Sequence, residues 1–249
     1  MPAVSEEPPQ IIAHRGASGH APENTLAAFR KAAELGFNWI ETDCMLTRDG
    51  RVILHHDDSL QRVTGLDRPV SDTDYADLCD LDCGSWFDPA FSAERIPSLQ
   101  QAIELFADLG MGANLELKPC PGADVETAKA VADIVNRSWP DHLPPPVISS
   151  FSTTAFETVW PLLPDSSFAM LWHALPDDWH SVMKNIGADA LHLDADMLTR
   201  EQAQSLVAEG IVFRTYTVNS PERFSELLEW GAEAVFSDFP DRLQTPSKG

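Results

Sequence analysis

Short apolar runs alternate with helix-like segments along most of this chain. Eight runs have the length and the side-chain content of buried strands, at residues 11–14, 39–43, 113–117, 147–150, 167–171, 190–193, 212–218 and 234–237. Intervening segments with helical spacing follow a Ser or Thr that can cap a helix, namely Thr25, Ser98, Thr153, Thr199 and Ser220. Alternation of this kind favours a parallel sheet, and eight units in 249 residues suit a (β/α)8 barrel. The sequence therefore predicts an α/β fold, a TIM barrel in one domain over residues 1–249.

The alternation is interrupted after the second predicted strand. Arg48-Asp49-Gly50 is typical of a tight turn, so this strand is expected to return as a hairpin through residues 51–56. Residues 59–97 are then polar and irregular, although a strand-to-helix loop is ordinarily short. Active sites of such barrels form from loops at the carboxyl ends of the strands. We therefore expect this small insertion to cap the barrel and to shape a substrate pocket.

The charge of the chain restricts its partners. Asp and Glu number 39 against 17 Lys and Arg, a formal net charge of −22, which repels nucleic acid and anionic membranes. Neither is expected as a partner, and an anionic substrate needs a local positive centre. The polar start MPAVSEEPPQ has no apolar signal segment, and the four cysteines have irregular spacings. A cytoplasmic protein with unpaired thiols is expected, while its oligomeric state stays open.

Charged side chains recur at the ends of the first three predicted barrel strands. They are one imidazole, two cations and three carboxylates: His14, Arg15, Lys118, Glu41, Asp43 and Glu116. Residues two apart in a strand point to the same face, so neighbouring strands would direct these groups into one barrel mouth. Three crowded carboxylates raise one another's pKa unless a cation lies among them.

Oxygen ligands favour a hard divalent ion, Mg²⁺ or Ca²⁺, over zinc. We therefore predict Glu41, Asp43 and Glu116 as metal ligands. With the ion in place, Arg15 and Lys118 would hold an anionic group, and a phosphate suits them well.

Two imidazoles are predicted at the same mouth. His14 is one, and the second is either His55 or His56, because adjacent strand residues point to opposite faces. Two imidazoles are the minimum for removing a proton from a nucleophile while protonating a leaving oxygen. Taken singly, each of these patterns also suits a structural role, such as a plain ion pair between Glu116 and Lys118. Their coincidence at successive strand ends favours a catalytic site for a phosphate ester.

Ten short motifs follow one another along nearly the whole chain: His14-Arg15-Gly16, Pro22-Glu23-Asn24-Thr25, Glu41-Thr42-Asp43, Thr47-Arg48-Asp49-Gly50, His56-Asp57, Ile96-Pro97-Ser98-Leu99, Glu116-Leu117-Lys118, Ser149-Ser150-Phe151, Tyr216-Thr217-Val218-Asn219 and Ser237-Asp238-Phe239-Pro240. In this combination they resemble the glycerophosphodiester phosphodiesterase family. The resemblance implies a TIM barrel with a small insertion after the second strand. It also implies metal-dependent hydrolysis of small glycerophosphodiesters to sn-glycerol 3-phosphate and an alcohol.

Site residues are carried over from the resemblance position by position. His14 and His56 match the catalytic pair, which leaves His55 pointing away. The metal ligands match Glu41, Asp43 and Glu116, and the phosphate contacts match Arg15 and Lys118. Tyr216 departs from the Trp that the family often has before Thr-Val-Asn, which puts the preferred alcohol in doubt. Two alternatives stay open: a phospholipase C-like or sphingomyelinase D-like enzyme acting on lipids, and a non-catalytic barrel that binds phosphorylated polyols.

Overall fold

Eight parallel strands close into a barrel. The computed structural model describes residues 7–243, apart from the side chain of Asn185. Its strands are β1 (Ile11–Ala13), β2 (Trp39–Leu46), β3 (Val52–Leu54), β4 (Gly112–Leu117), β5 (Val147–Ser150), β6 (Ser167–Trp172), β7 (Ala190–Asp194), β8 (Val212–Tyr216) and β9 (Ala234–Ser237). All except β3 run parallel, in the order β1-β2-β4-β5-β6-β7-β8-β9, and β1 closes the ring by pairing with both β2 and β9. The predicted TIM barrel is confirmed.

Helices separate the barrel strands. They are α1 (Leu26–Glu34), α2 (Gln61–Thr64), α3 (Tyr75–Leu78), α4 (Leu99–Leu109), α5 (Asp124–Ser138), α6 (Thr153–Val159), α7 (Trp179–Ile186), α8 (Arg200–Ala208), α9 (Pro221–Glu229) and α10 (Pro240–Leu243). Four predicted caps accept the expected backbone hydrogen bond, those at Thr25, Ser98, Thr199 and Ser220. The predicted cap at Thr153 is wrong, because the Ser152 hydroxyl accepts from the Ala155 N–H at 3.0 Å instead.

Strand β2 extends past the barrel and returns as an antiparallel hairpin with β3, which places Cys44 opposite Leu54. Gly50 lies in the turn with φ of 79°, a backbone conformation that favours glycine. The predicted hairpin is therefore confirmed, although β3 ends at Leu54 and not at residue 56. The segment that follows contains α2, α3 and short 3-10 turns, and it packs its own apolar cluster against Met45 and Ile53 of the hairpin.

One apolar layer lies beneath the predicted site. Seven side chains from barrel strands pack together there, Ile12, Trp39, Val147, Ala169, Ala190, Ala234 and Phe236. Ile12 precedes His14 by two residues and Trp39 precedes Glu41 by two, so each shares a strand face with the polar group above it. The four cysteines are free, as predicted. Within residues 7–243, no helix has both the length and the apolar content that crossing a bilayer requires.

Candidate active site

A cavity of about 320 Å³ opens at the carboxyl ends of the barrel strands. It is lined by six of the seven predicted site residues, namely His14, Arg15, Glu41, His56, Glu116 and Lys118. Asp43 lies just behind this lining and is 1% exposed. His56 faces the cavity, whereas His55 is buried beside it and bonds the Ser59 carbonyl at 3.1 Å. The structure thus brings the predicted residues together.

The three carboxylates meet because β2 and β4 are neighbours in parallel register. Asp43 pairs with Glu116, and Glu41 pairs with Asn114 one layer deeper. One oxygen from each of Glu41, Asp43 and Glu116 lies within 4.8 Å of the others. Asp43 accepts a hydrogen bond from Asn24 Nδ2 at 2.8 Å, but Oε1 of Glu41 and Oε1 of Glu116 are buried without a hydrogen-bond partner.

Burial and mutual repulsion disfavour charge on two of these acids. Burial, then Asp43 and Glu116, raises the pKa of Glu41 well above its usual range. Burial and Asp43 raise the pKa of Glu116 to about 8. Burial also opposes ionisation of Asp43, but Arg15 and Lys118 outweigh it and lower the pKa of that carboxyl. Two unpartnered buried oxygens in a three-carboxylate set suit a hard divalent cation, which would restore both glutamates to their charged form.

Arg15 and Lys118 border the carboxylates. Arg15 Nε lies 3.2 Å from Asp43 Oδ2, and Lys118 Nζ lies 3.8 Å from both Asp43 Oδ1 and Glu116 Oε1. The Arg15 backbone has φ of 54°, a conformation that is rare outside glycine, and its N–H donates to Glu41 Oε2 at 3.0 Å. This turn holds the guanidinium beside the acids, so an anion bound there would contact both Arg15 and Lys118.

Each cavity histidine has a carboxylate on its Nδ1. His14 Nδ1 lies 2.7 Å from Asp238 Oδ1, and His56 Nδ1 lies 2.8 Å from Asp57 Oδ1. A carboxylate accepts from an N–H, so this pairing keeps hydrogen on Nδ1 and leaves Nε2 as the free acceptor in the neutral ring. Burial lowers the pKa of His56, which favours that neutral form.

The two carboxylates are themselves held in place. Asp238 accepts from the Ser18 hydroxyl at 2.9 Å and from Asn219 Nδ2 at 2.8 Å. Burial opposes its ionisation, but the hydrogen bond and charge of His14 together with the hydrogen bonds from Asn219 and Ser18 outweigh burial and lower the pKa of Asp238 to about 2. Arg62 anchors Asp57 through two hydrogen bonds of 2.6 and 3.1 Å. Both imidazoles are therefore oriented by charged partners.

Several cavity residues were missed by the sequence reasoning. Phe151, His173 and His192 line the cavity, and Asp238 supports it from behind; Tyr216, which the sequence had singled out, lines it too. The sequence signal for most of them is position: each lies in a barrel strand or within one residue of its carboxyl end. No residue of the inserted segment 59–97, which was expected to shape the substrate pocket, lines this cavity, and its aromatic residues Trp86 and Phe87 lie outside the lining as well.

Comparison with known proteins identifies the family of the chain. The sequence matches the profile of the glycerophosphoryl diester phosphodiesterase family over residues 14–242. The chain belongs to this family. Glycerophosphodiester phosphodiesterases are phosphoric diester hydrolases, so the resemblance drawn from the motifs is confirmed and the non-catalytic alternative is set aside.

Individual glycerophosphodiester phosphodiesterases match over almost their full length. A solved Oleispira antarctica phosphodiesterase, in complex with the product sn-glycerol-3-phosphate, has 38% identity and a TM-score of 0.92 over 95% of both chains. The glycerophosphodiester phosphodiesterase of Caldanaerobacter subterraneus subsp. tengcongensis is 30% identical over 94% of this chain and 95% of its own length. That of Bacillus altitudinis is 32% identical over 94% of this chain and 96% of its own length.

Proposed function

We propose that the chain hydrolyses small glycerophosphodiesters to sn-glycerol 3-phosphate and an alcohol in this cavity, with Mg²⁺ or Ca²⁺ held by Glu41, Asp43 and Glu116. The observation that carries this proposal is the pair of buried glutamate oxygens without a hydrogen-bond partner, beside two imidazoles whose Nε2 atoms accept no hydrogen bond within residues 7–243. Three carboxylates this close together are costly to ionise unless a further cation joins Arg15 and Lys118, and available Nε2 atoms are what proton transfer requires.

The chain's own groups divide the work of the reaction. Arg15 and Lys118 bind the nonbridging phosphate oxygens and stabilise the charge that develops on them. One of His14 and His56 accepts a proton from the nucleophile at Nε2, and the other, protonated, donates one to the departing alkoxide. When bound, the divalent ion supplies Lewis-acid polarisation of the phosphate. The nucleophile is either water or the glycerol 2-hydroxyl, and the second route passes through a cyclic phosphate.

Release of sn-glycerol 3-phosphate from glycerophosphocholine and glycerophosphoethanolamine tests the proposal. We expect turnover with added Mg²⁺ or Ca²⁺ and loss of turnover after chelation. Phosphorus NMR during turnover separates the two nucleophiles, because only attack by the 2-hydroxyl gives a cyclic phosphate signal. Full activity after exhaustive chelation would assign the three carboxylates another role.

The lipid alternative is tested in parallel. Vesicles of lysophosphatidylcholine or sphingomyelin replace the soluble substrate at equal phosphodiester concentration. Preference for the soluble diesters is expected, because residues 59–97 are mostly acidic and polar, whereas membrane-bound substrates call for exposed apolar or basic loops. Faster turnover of the vesicle substrates would favour the lipid-cleaving alternative.

We also propose that the barrel and residues 59–97 form one cytoplasmic catalytic domain. The apolar cluster shared between the hairpin and this segment supports joint folding. Limited proteolysis should then leave residues 59–97 attached and protected, and a cut in that segment that leaves the barrel stable would contradict joint folding.

A further inference from the structure

Three aromatic side chains form one wall of the cavity. Phe151 follows β5, His173 follows β6 and Tyr216 ends β8. The rings of Phe151 and His173 stack with centroids 4.7 Å apart. The Tyr216 ring stands steeply against both, with its centroid 6.1 Å from Phe151 and 6.4 Å from His173. All three line the cavity that contains the carboxylates, and we call them the aromatic wall.

The order of the barrel strands separates the aromatic wall from the side of the mouth that holds Arg15 and Lys118, which we call the phosphate side. His14, Glu41 and Glu116 come from β1, β2 and β4, whereas two of the three rings come from β6 and β8 across the mouth. Among residues 7–243, one arginine and one lysine line the cavity. These two residues, Arg15 and Lys118, lie on the phosphate side. A phosphate bound there would extend its ester group toward the rings.

A carboxylate, that of Asp194, lies beside the aromatic wall. Asp194 ends β7, between β6 and β8, and its register partner in β8 is Tyr216. Its Oδ2 lies 3.9 Å from His173 Nδ1. Burial, and next Asp194, raises the pKa of the Tyr216 phenol above its ordinary value. The Tyr216 hydroxyl already donates to the Trp172 carbonyl at 3.0 Å, so the ring is what this residue offers a ligand.

The deeper side of the cavity has a different chemistry. Asn114 lies two residues before Glu116 in β4, one layer further into the barrel. Its Nδ2 donates to the Ser149 hydroxyl at 2.9 Å, and its Oδ1 is buried without a hydrogen-bond partner. An unpartnered acceptor suits a hydroxyl of glycerol, because a buried acceptor left without a donor is costly. The deep side of the cavity and the aromatic wall therefore offer different chemistry to a ligand.

We propose that the aromatic wall and Asp194 bind the alcohol half of the substrate and select alcohols that carry a positive charge, quaternary ammonium groups above all. A cation is attracted to the face of an aromatic ring, and the carboxylate adds to that attraction. Uncharged alcohols such as glycerol lose both advantages. This inference rests on the proposed hydrolysis and names the substrate class that the site prefers.

Two phosphodiesters of nearly the same shape test this preference. One is glycerophosphocholine, and the other has 3,3-dimethylbutanol in place of choline, so that carbon replaces the charged nitrogen. The ratio of their kcat/KM values measures selection for charge. Cation–π attraction at partly desolvated sites corresponds to about three- to thirty-fold in favour of the choline ester.

Four variants locate the source of the ratio. Phe151→Leu should lower the ratio because one ring of the wall is lost, and Phe151→Tyr should keep it because the ring stays. Asp194→Asn keeps the acceptor for the Asp196 N–H, found at 2.9 Å, and should lower the ratio by removing charge. Trp160→Leu removes an exposed aromatic ring outside the cavity and should leave the ratio unchanged.

The outcomes are distinct from those for the proposed function. If the unsubstituted protein hydrolyses both diesters with a kcat/KM ratio near one, the inference is overturned and the proposed hydrolysis is not affected. Equal loss with both substrates in Phe151→Leu also overturns it, because the rings would then contact the glycerol half that both substrates share. Calorimetry with the two diesters under chelation measures the corresponding ratio of binding affinities. It therefore tests the aromatic wall even in a protein that turns over neither diester.

Discussion

Replacing Asp238 by Asn should disable His14 without disturbing the barrel. The Asp238 carboxylate accepts from His14, from Ser18 and from Asn219 Nδ2. The Asn219 amide cannot turn to suit a new partner, because its Oδ1 already accepts from the Ser237 hydroxyl at 3.0 Å and the residue 238 N–H at 2.9 Å. The new amide must therefore direct its NH2 either at the NH2 of Asn219 or at His14.

Both placements harm the imidazole. In the first placement, the NH2 groups of residue 238 and of Asn219 face each other, and His14 donates to a neutral amide oxygen in place of a charged carboxylate. In the second, Nδ1 of His14 becomes an acceptor and its hydrogen moves to Nε2, which removes the free acceptor in the cavity. A hydrogen bond to a charged group contributes about 1.5–3 kcal/mol, or about ten- to 150-fold in rate. Loss of proton transfer costs about 10²- to 10⁴-fold. We expect kcat to fall about 10²-fold, where these ranges overlap.

The assay is release of sn-glycerol 3-phosphate from glycerophosphocholine at saturating divalent metal, with Tm measured on the same samples. KM should change only a few-fold, because Asp238 does not line the cavity. Asp241→Asn is the matched control: Asp241 Oδ1 lies 2.8 Å from His20 Nε2, its side-chain exposure is 36% against 31% for Asp238, and neither member of its pair lines the cavity. A kcat within three-fold of the parent in Asp238→Asn would refute the reasoning, as would an equal fall in the control.

Three further predictions concern the histidines and the carboxylates. His14→Ala and His56→Ala should each lower kcat by about 10²- to 10⁴-fold with Tm retained, and a variant with near-normal turnover would remove that residue from the mechanism. Glu116→Gln should weaken Mg²⁺ or Ca²⁺ binding in calorimetric titrations, because one of three charged ligands is lost, and unchanged affinity would exclude Glu116 as a ligand. Without metal, the Tm of the parent should fall relative to that of Glu116→Gln as pH rises from about 5 to 8. The reason is that the Glu116 pKa of about 8 exceeds its ordinary 4.5, so only the folded state holds this proton in that window. Thermal scans of Glu116→Gln should show a shallower slope, and the same slope in both proteins would contradict this explanation.

Helix starts show how far local signals reach. Helices α1, α4, α8 and α9 follow side chains that cap them, and their starts were predicted. Helices α5 and α7 follow Ala123 and Asp178, neither of which makes a side-chain capping bond, and a search for caps did not find them. Tertiary packing stabilises such helices, since Thr127, Val131 and Val135 of α5 are buried.

The alternation of strand and helix patterns was enough to predict the barrel and the kinds of side chain at its mouth. Strand periodicity sets which side chains share a face, so Glu41 with Asp43 and Glu116 with Lys118 were readable from spacing two. Which of these faces meet depends on how the strands pair in the closed barrel. The pairing of β9 with β1 places Asp238 beside His14, across 224 positions of sequence. The aromatic wall arises in the same way, from residues near the ends of β5, β6 and β8. Contacts between strand ends depend on ring closure and register, which no local pattern encodes.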